Sequence, residues 1–189
     1  DADMFAYLEV NAARALALDL SVIEKLVYES VRIKAAVVNR DEREKGERRK
    51  LNFGHTFGHA IEKTAGISHG EAVSVGMMIA AAVSEEKGLL KNTDVKRLQR
   101  LLQDLALPTQ IAVDADRVWD ALQKDKKREG GFIHFVLLEK LGRTVVRSLS
   151  LEEVRVGMKC LTSPTGESRS RARGYEVPDI SHGREPVPG

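Results

Sequence analysis

The sequence predicts a mainly α-helical protein with one small β-hairpin. Apolar residues recur at helical spacing through most of the first 125 positions, with glycine or proline between the helical runs. Only residues 132–149 contain two short apolar runs of strand-forming residues separated by a glycine turn. The hydrophobic share of 42% is enough to build a core within a soluble domain.

Two amphipathic helices are predicted at the start of the chain, over residues 3–18 and 21–38. Ser21 is the expected N-cap of the second helix, because Glu24 follows three residues later and completes a capping box. Residues 39–50 are almost all charged, and their composition alone indicates a solvated loop. This loop runs directly into a histidine-rich segment, so its charges can be directed at the same site.

Paired glycines mark the histidine-rich segment. Gly54 and Gly58 are four residues apart, and a glycine costs a helix about 1 kcal/mol relative to alanine. Such a cost is typical of positions where the backbone closely approaches a ligand or another element. A long helix over residues 70–87 is apolar on nearly all sides, which indicates a buried central helix, and its Gly76 would permit a close crossing.

Two shorter helices and the hairpin complete the predicted fold. The helices span residues 93–106, with Thr93 as the N-cap, and 114–124. The hairpin pairs residues 132–138 with residues 144–149.

The end of the chain differs in composition from the rest. It is rich in Ser, Gly, Arg and Pro and has little apolar periodicity, which predicts a disordered tail over residues 157–189. We therefore expect one folded domain over residues 1–156, and His182 in the tail is not expected to bind a metal.

Composition excludes several classes of partner and location. The 30 basic and 28 acidic residues give a net charge of +2, which is too balanced to favour nucleic acid or a membrane surface. The single cysteine, Cys160, excludes an internal disulfide framework and fits a reducing, cytoplasmic compartment. No membrane span or signal peptide is predicted. The chain begins with Asp1 inside a predicted helix, so we expect it to be part of a longer protein.

Three of the five histidines are close together in the sequence and suggest a metal site. His55 and His59 are four residues apart and share one face of a helix, and His69 follows after a break, with Glu71 nearby. Imidazole and carboxylate groups are the ligands that zinc takes in catalytic sites. Either all three histidines bind the metal, or two bind it and the third transfers protons. His134 lies in an apolar strand and is expected to be structural.

Several segments resemble 3-dehydroquinate synthase, a member of the sugar-phosphate cyclases. The resemblance rests on LNFGHTFGHAIE at residues 51–62 and HGEAV at residues 69–73, which are similar to the metal-binding segment of that family. KAAVVNRDERE at residues 34–44 and DKKREGG at residues 125–131 match in the family's order. The resemblance extends from about residue 1 to about residue 155.

The resemblance implies an architecture. The chain would be the helical C-terminal domain of the dehydroquinate synthase-like fold, which packs against an N-terminal α/β domain that binds NAD. The active site would lie between the two domains, and the full-length protein would be a homodimer. A third metal ligand, a glutamate, is expected just upstream of the region matching residue 1. No glycine-rich phosphate loop follows a predicted strand here, so NAD is expected to be held mainly outside this chain.

The resemblance also implies a role for each matching residue. His55 and His69 match ligands of Zn²⁺ or Co²⁺, His59 matches a proton-transfer residue, and Glu44 matches an acid/base or orienting carboxylate. The residues that match substrate contacts are Lys34, Arg48, Asn52 and Lys126. Such cations suit an anionic substrate, since the guanidinium group binds phosphate and carboxylate through paired hydrogen bonds.

The implied reaction is carbon–oxygen lyase chemistry in the shikimate pathway of aromatic amino acid biosynthesis. The substrate is a sugar-acid phosphate, 3-deoxy-D-arabino-heptulosonate 7-phosphate, and the products are 3-dehydroquinate and phosphate. NAD accepts a hydride and returns it, and the metal polarises the reacting alcohol.

The histidine pattern is compatible with three further classes of protein. A related cyclase that makes 2-deoxy-scyllo-inosose or an epi-valiolone would share it. An iron- or zinc-dependent alcohol dehydrogenase would share the general plan but lack the cationic residues for phosphate and carboxylate. A non-catalytic helical metal-binding module would bind zinc without binding substrate.

Overall fold

The computed structural model describes residues 1–42, 46–126 and 132–162, and most of these residues are helical, as predicted. The elements are helices α1 (Ala2–Leu16), α2 (Leu20–Arg40), α3 (His55–Ala65), α4 (His69–Glu86), α5 (Asn92–Asp104), α6 (Ala115–Lys126) and α7 (Leu151–Arg155), strands β1 (Ile111–Ala112), β2 (Phe132–Lys140), β3 (Arg143–Ser150) and β4 (Leu161–Thr162), and two 3-10 helices, Glu47–Asn52 and Val156–Cys160. None of the helices in these described ranges is long and apolar enough to cross a lipid bilayer.

Helix α4 forms the centre of the fold. It packs against α3, α5, β2 and the second 3-10 helix, and its Val75, Ile79 and Ala81 are fully buried. The hydroxyl of Ser84 donates to the carbonyl oxygen of Ala80 at 2.6 Å and accepts the backbone N–H of Leu138 at 3.0 Å. The second of these bonds ties the helix to the hairpin, and the buried central position predicted for this segment is confirmed.

Glycines allow α3 and α4 to cross with their backbones in contact. A Cβ atom on Gly76 would overlap the carbonyl oxygen of Gly54, and one on Gly58 would lie 3.2 Å from the Cα atom of Val73. Gly54 also has a φ of +83°, in the left-handed region that favours glycine. The paired glycines therefore serve the close approach of another element, which is one of the two roles that the sequence allows.

Two predicted helix caps are wrong. Helix α2 is capped by Asp19, whose carboxylate accepts the backbone N–H groups of Ser21 at 3.0 Å and Val22 at 3.4 Å. The aspartate lies one residue before the helix and outcompetes the serine, which is already inside it. Helix α5 follows Lys91 with no side-chain cap, so Thr93 is likewise inside its helix.

The hairpin is antiparallel and is positioned as the sequence predicts. Its register runs from Phe132 opposite Ser150 to Lys140 opposite Arg143, with an irregularity after Leu138. The inward side of the hairpin packs on α4, and the ring of its Phe135 meets the ring of Phe57 on α3 edge to face at 6.1 Å.

The predicted start of the tail, at residue 157, is wrong. The chain continues through the second 3-10 helix into β4, which pairs in parallel with β1. Gly157 lies against the side chain of Ile79, and Leu161 is 6% exposed. Glycine, lysine and cysteine in this stretch weaken the apolar pattern, yet its two large apolar residues, Met158 and Leu161, still pack in the core. The remainder of the predicted tail, residues 163–189, lies outside the described residues.

The glycine crossing generates a stability prediction. Gly76→Ala should lower the free energy of unfolding by about 1–3 kcal/mol, because the added methyl forces two backbones apart. Gly70→Ala is the matched control in the same helix, since a Cβ atom there meets nothing within 4 Å, and it should be neutral or stabilising by up to about 1 kcal/mol. Chemical denaturation measures both changes, and equal effects would contradict the crossing.

The ordered end of the chain generates a second prediction. Truncation after Arg155 should lower the melting temperature clearly, because the burial of Leu161 alone is worth about 2 kcal/mol. Truncation after Thr162 should leave the melting temperature nearly unchanged, in keeping with the composition of residues 163–189. A large loss in the second variant would show that those residues pack on the core.

Candidate metal centre

The crossing of α3 and α4 brings three histidines into one cluster. His55 is the first residue of α3, His59 lies one turn further along it, and His69 is the first residue of α4. The ring centroids are 5.5 Å apart for His55 and His59, 5.4 Å for His55 and His69, and 5.9 Å for His59 and His69. The sequence spacing alone does not predict that His69 joins the other two histidines, because its position depends on the turn between the helices.

The ring separations fit coordination of a single ion. Two imidazoles on one tetrahedral Zn²⁺, with Zn–N bonds of about 2.0–2.1 Å, have centroids about 5.2 Å apart. The pair His55 and His69, at 5.4 Å, is nearest to that value. No group of three or more His, Cys, Asp or Glu side chains among the described residues is arranged to hold a metal by itself. The described residues therefore offer at most a pair of imidazoles to a metal, and a complete site needs a further donor.

Hydrogen bonds define the tautomer of two of the three rings. The Nδ1 atom of His55 lies 3.3 Å from the carbonyl oxygen of Phe53, and that of His69 lies 2.9 Å from a carboxylate oxygen of Glu62. Both oxygens can only accept, so each Nδ1 carries a proton, and when the ring is neutral its Nε2 keeps a free lone pair. Metal-binding histidines are commonly held in this way by a carbonyl or carboxylate group.

The surroundings of His59 lower its pKa. Partial removal from water lowers the pKa of His59, and repulsion from positive charge on His55 and His69 lowers it further. The hydrogen bond from His69 lowers the pKa of Glu62, so this carboxylate is ionised near neutral pH. His59 is therefore mostly neutral near pH 7 and can accept a proton at one nitrogen while donating at the other.

Glu71, which the sequence places near the histidines, has another role. Its carboxylate accepts the backbone N–H of Ser68 at 3.0 Å and the hydroxyl of Ser68 at 2.7 Å, and it forms the capping box of α4. These bonds lower the pKa of Glu71. The residue fixes the start of the helix that carries His69 and is not among the metal donors.

The charged stretch at residues 39–50, called the basic loop below, runs into the first 3-10 helix, which ends three residues before His55. Asp41 organises it, because one carboxylate oxygen accepts the backbone N–H groups of Gly46 at 2.7 Å and Arg48 at 3.0 Å. The guanidinium group of Arg48 donates to the carbonyl oxygen of Glu42 at 3.1 Å. Asn52 is exposed at the end of this 3-10 helix, three residues before the first histidine.

The other residues with predicted roles stand apart or are not described. Lys34 is exposed on α2 and does not line the cavity beside the histidines. Lys126 is the last residue of α6, which packs against α3, and the structure describes only its backbone. Glu44 lies outside the described residues.

A large apolar cavity adjoins the cluster, and the sequence did not reveal it. Its volume is about 710 Å³, and His55 and His69 are among the residues that line it. It is enclosed by α1, α2, α4, α5 and the hairpin turn, with lining residues that include Phe5, Leu8, Ile33, Val37, Val73 and Met77. Each contributing helix shows its own apolar face in the sequence, but the cavity depends on how four of them are arranged.

No glycine-rich turn that could cradle a pyrophosphate follows a strand among the described residues. Strand β1 leads into α6 and strand β3 leads into α7, and neither connection is a glycine-rich turn that could cradle a pyrophosphate.

Comparison with known proteins identifies relatives over most of the chain. Residues 1–128 match the family described as 3-dehydroquinate synthase C-terminal. The 3-dehydroquinate synthase of Rhodopseudomonas palustris is 42% identical over 162 residues, which cover 78% of this chain and 42% of the relative. The chain thus spans less than half the length of the relative it matches.

Solved structures of cyclases share the fold. The 2-epi-5-epi-valiolone synthase of Streptomyces hygroscopicus, with NAD⁺ and Zn²⁺ bound, has a TM-score of 0.72 at 23% identity, over 84% of this chain and 46% of its own. A 2-deoxy-scyllo-inosose synthase complexed with carbaglucose-6-phosphate, NAD⁺ and Co²⁺ has a TM-score of 0.63 at 27% identity, over 72% of this chain and 41% of its own. Since the family match covers more than half of the sequence, this chain belongs to the 3-dehydroquinate synthase C-terminal family.

Proposed function

We propose that this chain is the metal- and substrate-binding part of a 3-dehydroquinate synthase. The reaction would convert 3-deoxy-D-arabino-heptulosonate 7-phosphate to 3-dehydroquinate and phosphate. The supporting relatives carry that name at 42% identity, and the family match includes the whole histidine cluster.

The observation that carries the proposal is the pairing of His55 and His69. The two rings approach to 5.4 Å, and the Nδ1 atom of each is bonded to a fixed acceptor. Both Nε2 lone pairs are then available for one divalent cation, Zn²⁺ or Co²⁺. When bound there, such a cation supplies Lewis-acid polarisation of a substrate hydroxyl. A cobalt ion in a related cyclase at 27% identity supports the choice of metal.

His59 would move protons beside the metal. Its ring lies 5.5 Å from that of His55, and its lowered pKa keeps it neutral near pH 7. A neutral imidazole can take a proton from a substrate hydroxyl and return it later in the cycle. Glu44 is proposed as a second acid/base or orienting group on the strength of its match to the family motif.

Positive charge for the substrate's phosphate and carboxylate would come from the basic loop and two lysines. The backbone of Arg48 is held by Asp41 in the stretch that immediately precedes the histidine segment in the chain. We assign substrate contacts to Arg48, Asn52, Lys34 and Lys126 from the family motifs. Holding the substrate's charged groups in place supplies much of the rate in such reactions, since orientation lowers the entropic part of the barrier.

NAD is proposed as the second cofactor, held by a part of the enzyme outside the described residues. When bound, NAD supplies the acceptor for a substrate hydride. A related cyclase contains it, and the R. palustris relative is more than twice the length of the matched region.

The exposed apolar surface of α2 supports the proposal that a further domain packs against this chain. The helix has one fully buried residue, Val22, while Val27, Tyr28 and Val31 are between 58% and 66% exposed. Other apolar residues of the same helix line the large cavity beside the histidines. A helix with apolar surface on two sides is incompletely covered by the described residues. Such a surface is expected on a domain that packs against another domain.

A second candidate is a related sugar-phosphate cyclase. The 2-deoxy-scyllo-inosose synthase has a TM-score of 0.63 over 72% of this chain, so the histidine arrangement alone cannot decide between the products. Product analysis by mass spectrometry with both sugar phosphates as substrates discriminates the two functions.

The metal site predicts a pattern of cobalt binding. His55→Ala and His69→Ala should each weaken Co²⁺ binding by more than about 100-fold, since losing a ligand costs more than losing its outer hydrogen-bond partner. His59→Ala should bind Co²⁺ within a few-fold of the parent. The measurement is titration of the visible cobalt absorption at high protein concentration, because two imidazoles hold a metal less tightly than three protein ligands.

Circular dichroism of the metal-free variants is the control for folding. Equal cobalt binding by the parent and the His69→Ala variant would refute the site. A loss with His59→Ala as large as with His55→Ala would instead make all three histidines ligands.

The absence of a nucleotide-binding turn from the described residues predicts how the chain behaves alone. The 189-residue chain should show no saturable NAD⁺ binding by calorimetry and no phosphate release from the heptulosonate phosphate. Fusion to the N-terminal part of the R. palustris relative should restore both, and the same fusion carrying His55→Ala should bind NAD⁺ without turnover. NAD-dependent phosphate release by the 189-residue chain itself would refute the assignment of NAD binding to a part of the enzyme outside this chain.

A further inference from the structure

One carboxylate lies on the same face of α3 as its two histidines. Glu62 is seven residues after His55 and three after His59, so the three side chains follow one helical stripe. The stripe faces the start of α4, where the Nδ1 atom of His69 lies 2.9 Å from a carboxylate oxygen of Glu62. The bond therefore joins the two helices at the metal centre.

We propose that Glu62 is a positioning residue that holds the imidazole of His69 in the tautomer and orientation needed by a metal ligand. The inference rests on the proposed function, because it concerns the same metal. It assigns to Glu62 no contact with the metal or the substrate.

The chemistry of imidazole supports this role. A neutral histidine in water favours the tautomer with its proton on Nε2, which leaves that nitrogen unable to bind a metal. A carboxylate that accepts the Nδ1–H reverses the preference and frees the Nε2 lone pair. The negative charge of Glu62 also makes the ring a stronger donor to the metal.

The two metal-binding histidines are held by different kinds of acceptor. The Nδ1–H of His55 donates to the backbone carbonyl of Phe53, which no substitution removes. The acceptor of His69 is a side chain, so its contribution can be removed and measured. His69 also depends on it more, since its side chain is 52% exposed and lies at the very start of its helix.

Neither a surface ion pair nor direct coordination accounts as well for the bond between Glu62 and His69. As a surface ion pair, with Glu62 38% exposed, it would add little to folding stability. As a direct ligand, Glu62 would have to converge with two or more other donors, and no such group occurs among the described residues.

The test uses three variants of the 189-residue chain. Glu62→Ala removes the acceptor, and Glu62→Gln keeps an oxygen that can accept the Nδ1–H but removes the charge. Glu86→Ala is the matched control, because this exposed glutamate ends α4 about 25 Å from His69 at 1.5 Å per residue. Two quantities are measured: the tautomer of His69 in the metal-free protein, by nitrogen-15 NMR of the imidazole ring at pH 8, and the affinity for Co²⁺, by visible absorption.

The parent is expected to show the Nδ1–H tautomer at His69. Glu62→Ala should shift it toward the Nε2–H tautomer and weaken Co²⁺ binding by about 10- to 100-fold. Glu62→Gln should keep the tautomer and lose less affinity, and Glu86→Ala should change neither quantity. Melting curves of the metal-free variants should be close to that of the parent.

An unchanged tautomer and unchanged cobalt affinity in Glu62→Ala would overturn the proposal while leaving the metal site intact. Complete loss of cobalt in both Glu62 variants would also overturn it, because that result makes the carboxylate a ligand. If the parent itself takes up no cobalt, the metal site of the proposed function fails, and the role of Glu62 toward a metal fails with it.

Discussion

The contact between the backbones of α3 and α4 is the constraint on which the rest of the structure depends. At Gly76 there is no room for even one methyl group beside the carbonyl oxygen of Gly54. This approach sets the distance between the two helices that carry the histidines. It also leaves α4 surrounded, so that its buried residues Val75 and Ile79 form the centre of the core. Core and candidate site are consequences of one crossing.

The histidine cluster shows how far the sequence could predict the site. The four-residue spacing of His55 and His59 defines a shared helical face without reference to the rest of the chain. The position of His69 against that face requires the turn at Gly66, whose φ is +66°, and the capping box that starts α4. Glycine and a serine–glutamate pair are readable signals, so the cluster could be anticipated.

The hydrogen-bond partners of the cluster could not be anticipated. Glu62 stands in the same motif as the histidines, yet its bond to His69 depends on how two helices are rotated relative to each other. Glu71 shows the opposite case, because it is near in sequence but occupied by the cap of its own helix. The boundary at residue 157 was missed for a related reason, since only the tertiary contact of Gly157 with Ile79 shows that the chain is still part of the core.

The candidate site is built on two kinds of backbone: packed helices carry the histidines, and a loop held by polar bonds carries the charged residues. The two differ in how easily their side chains can change. The metal donors are fixed by packed helices, where a small shift would disturb the core. Two of the proposed substrate contacts, Arg48 and Asn52, lie in a stretch whose backbone is held by polar bonds to Asp41. Two cyclases with different names share this fold at identities of 23% and 27%. Under the proposed function, discrimination among sugar phosphates would fall to the charged loop over residues 39–50 and the residues near it, where side chains can change without repacking the core.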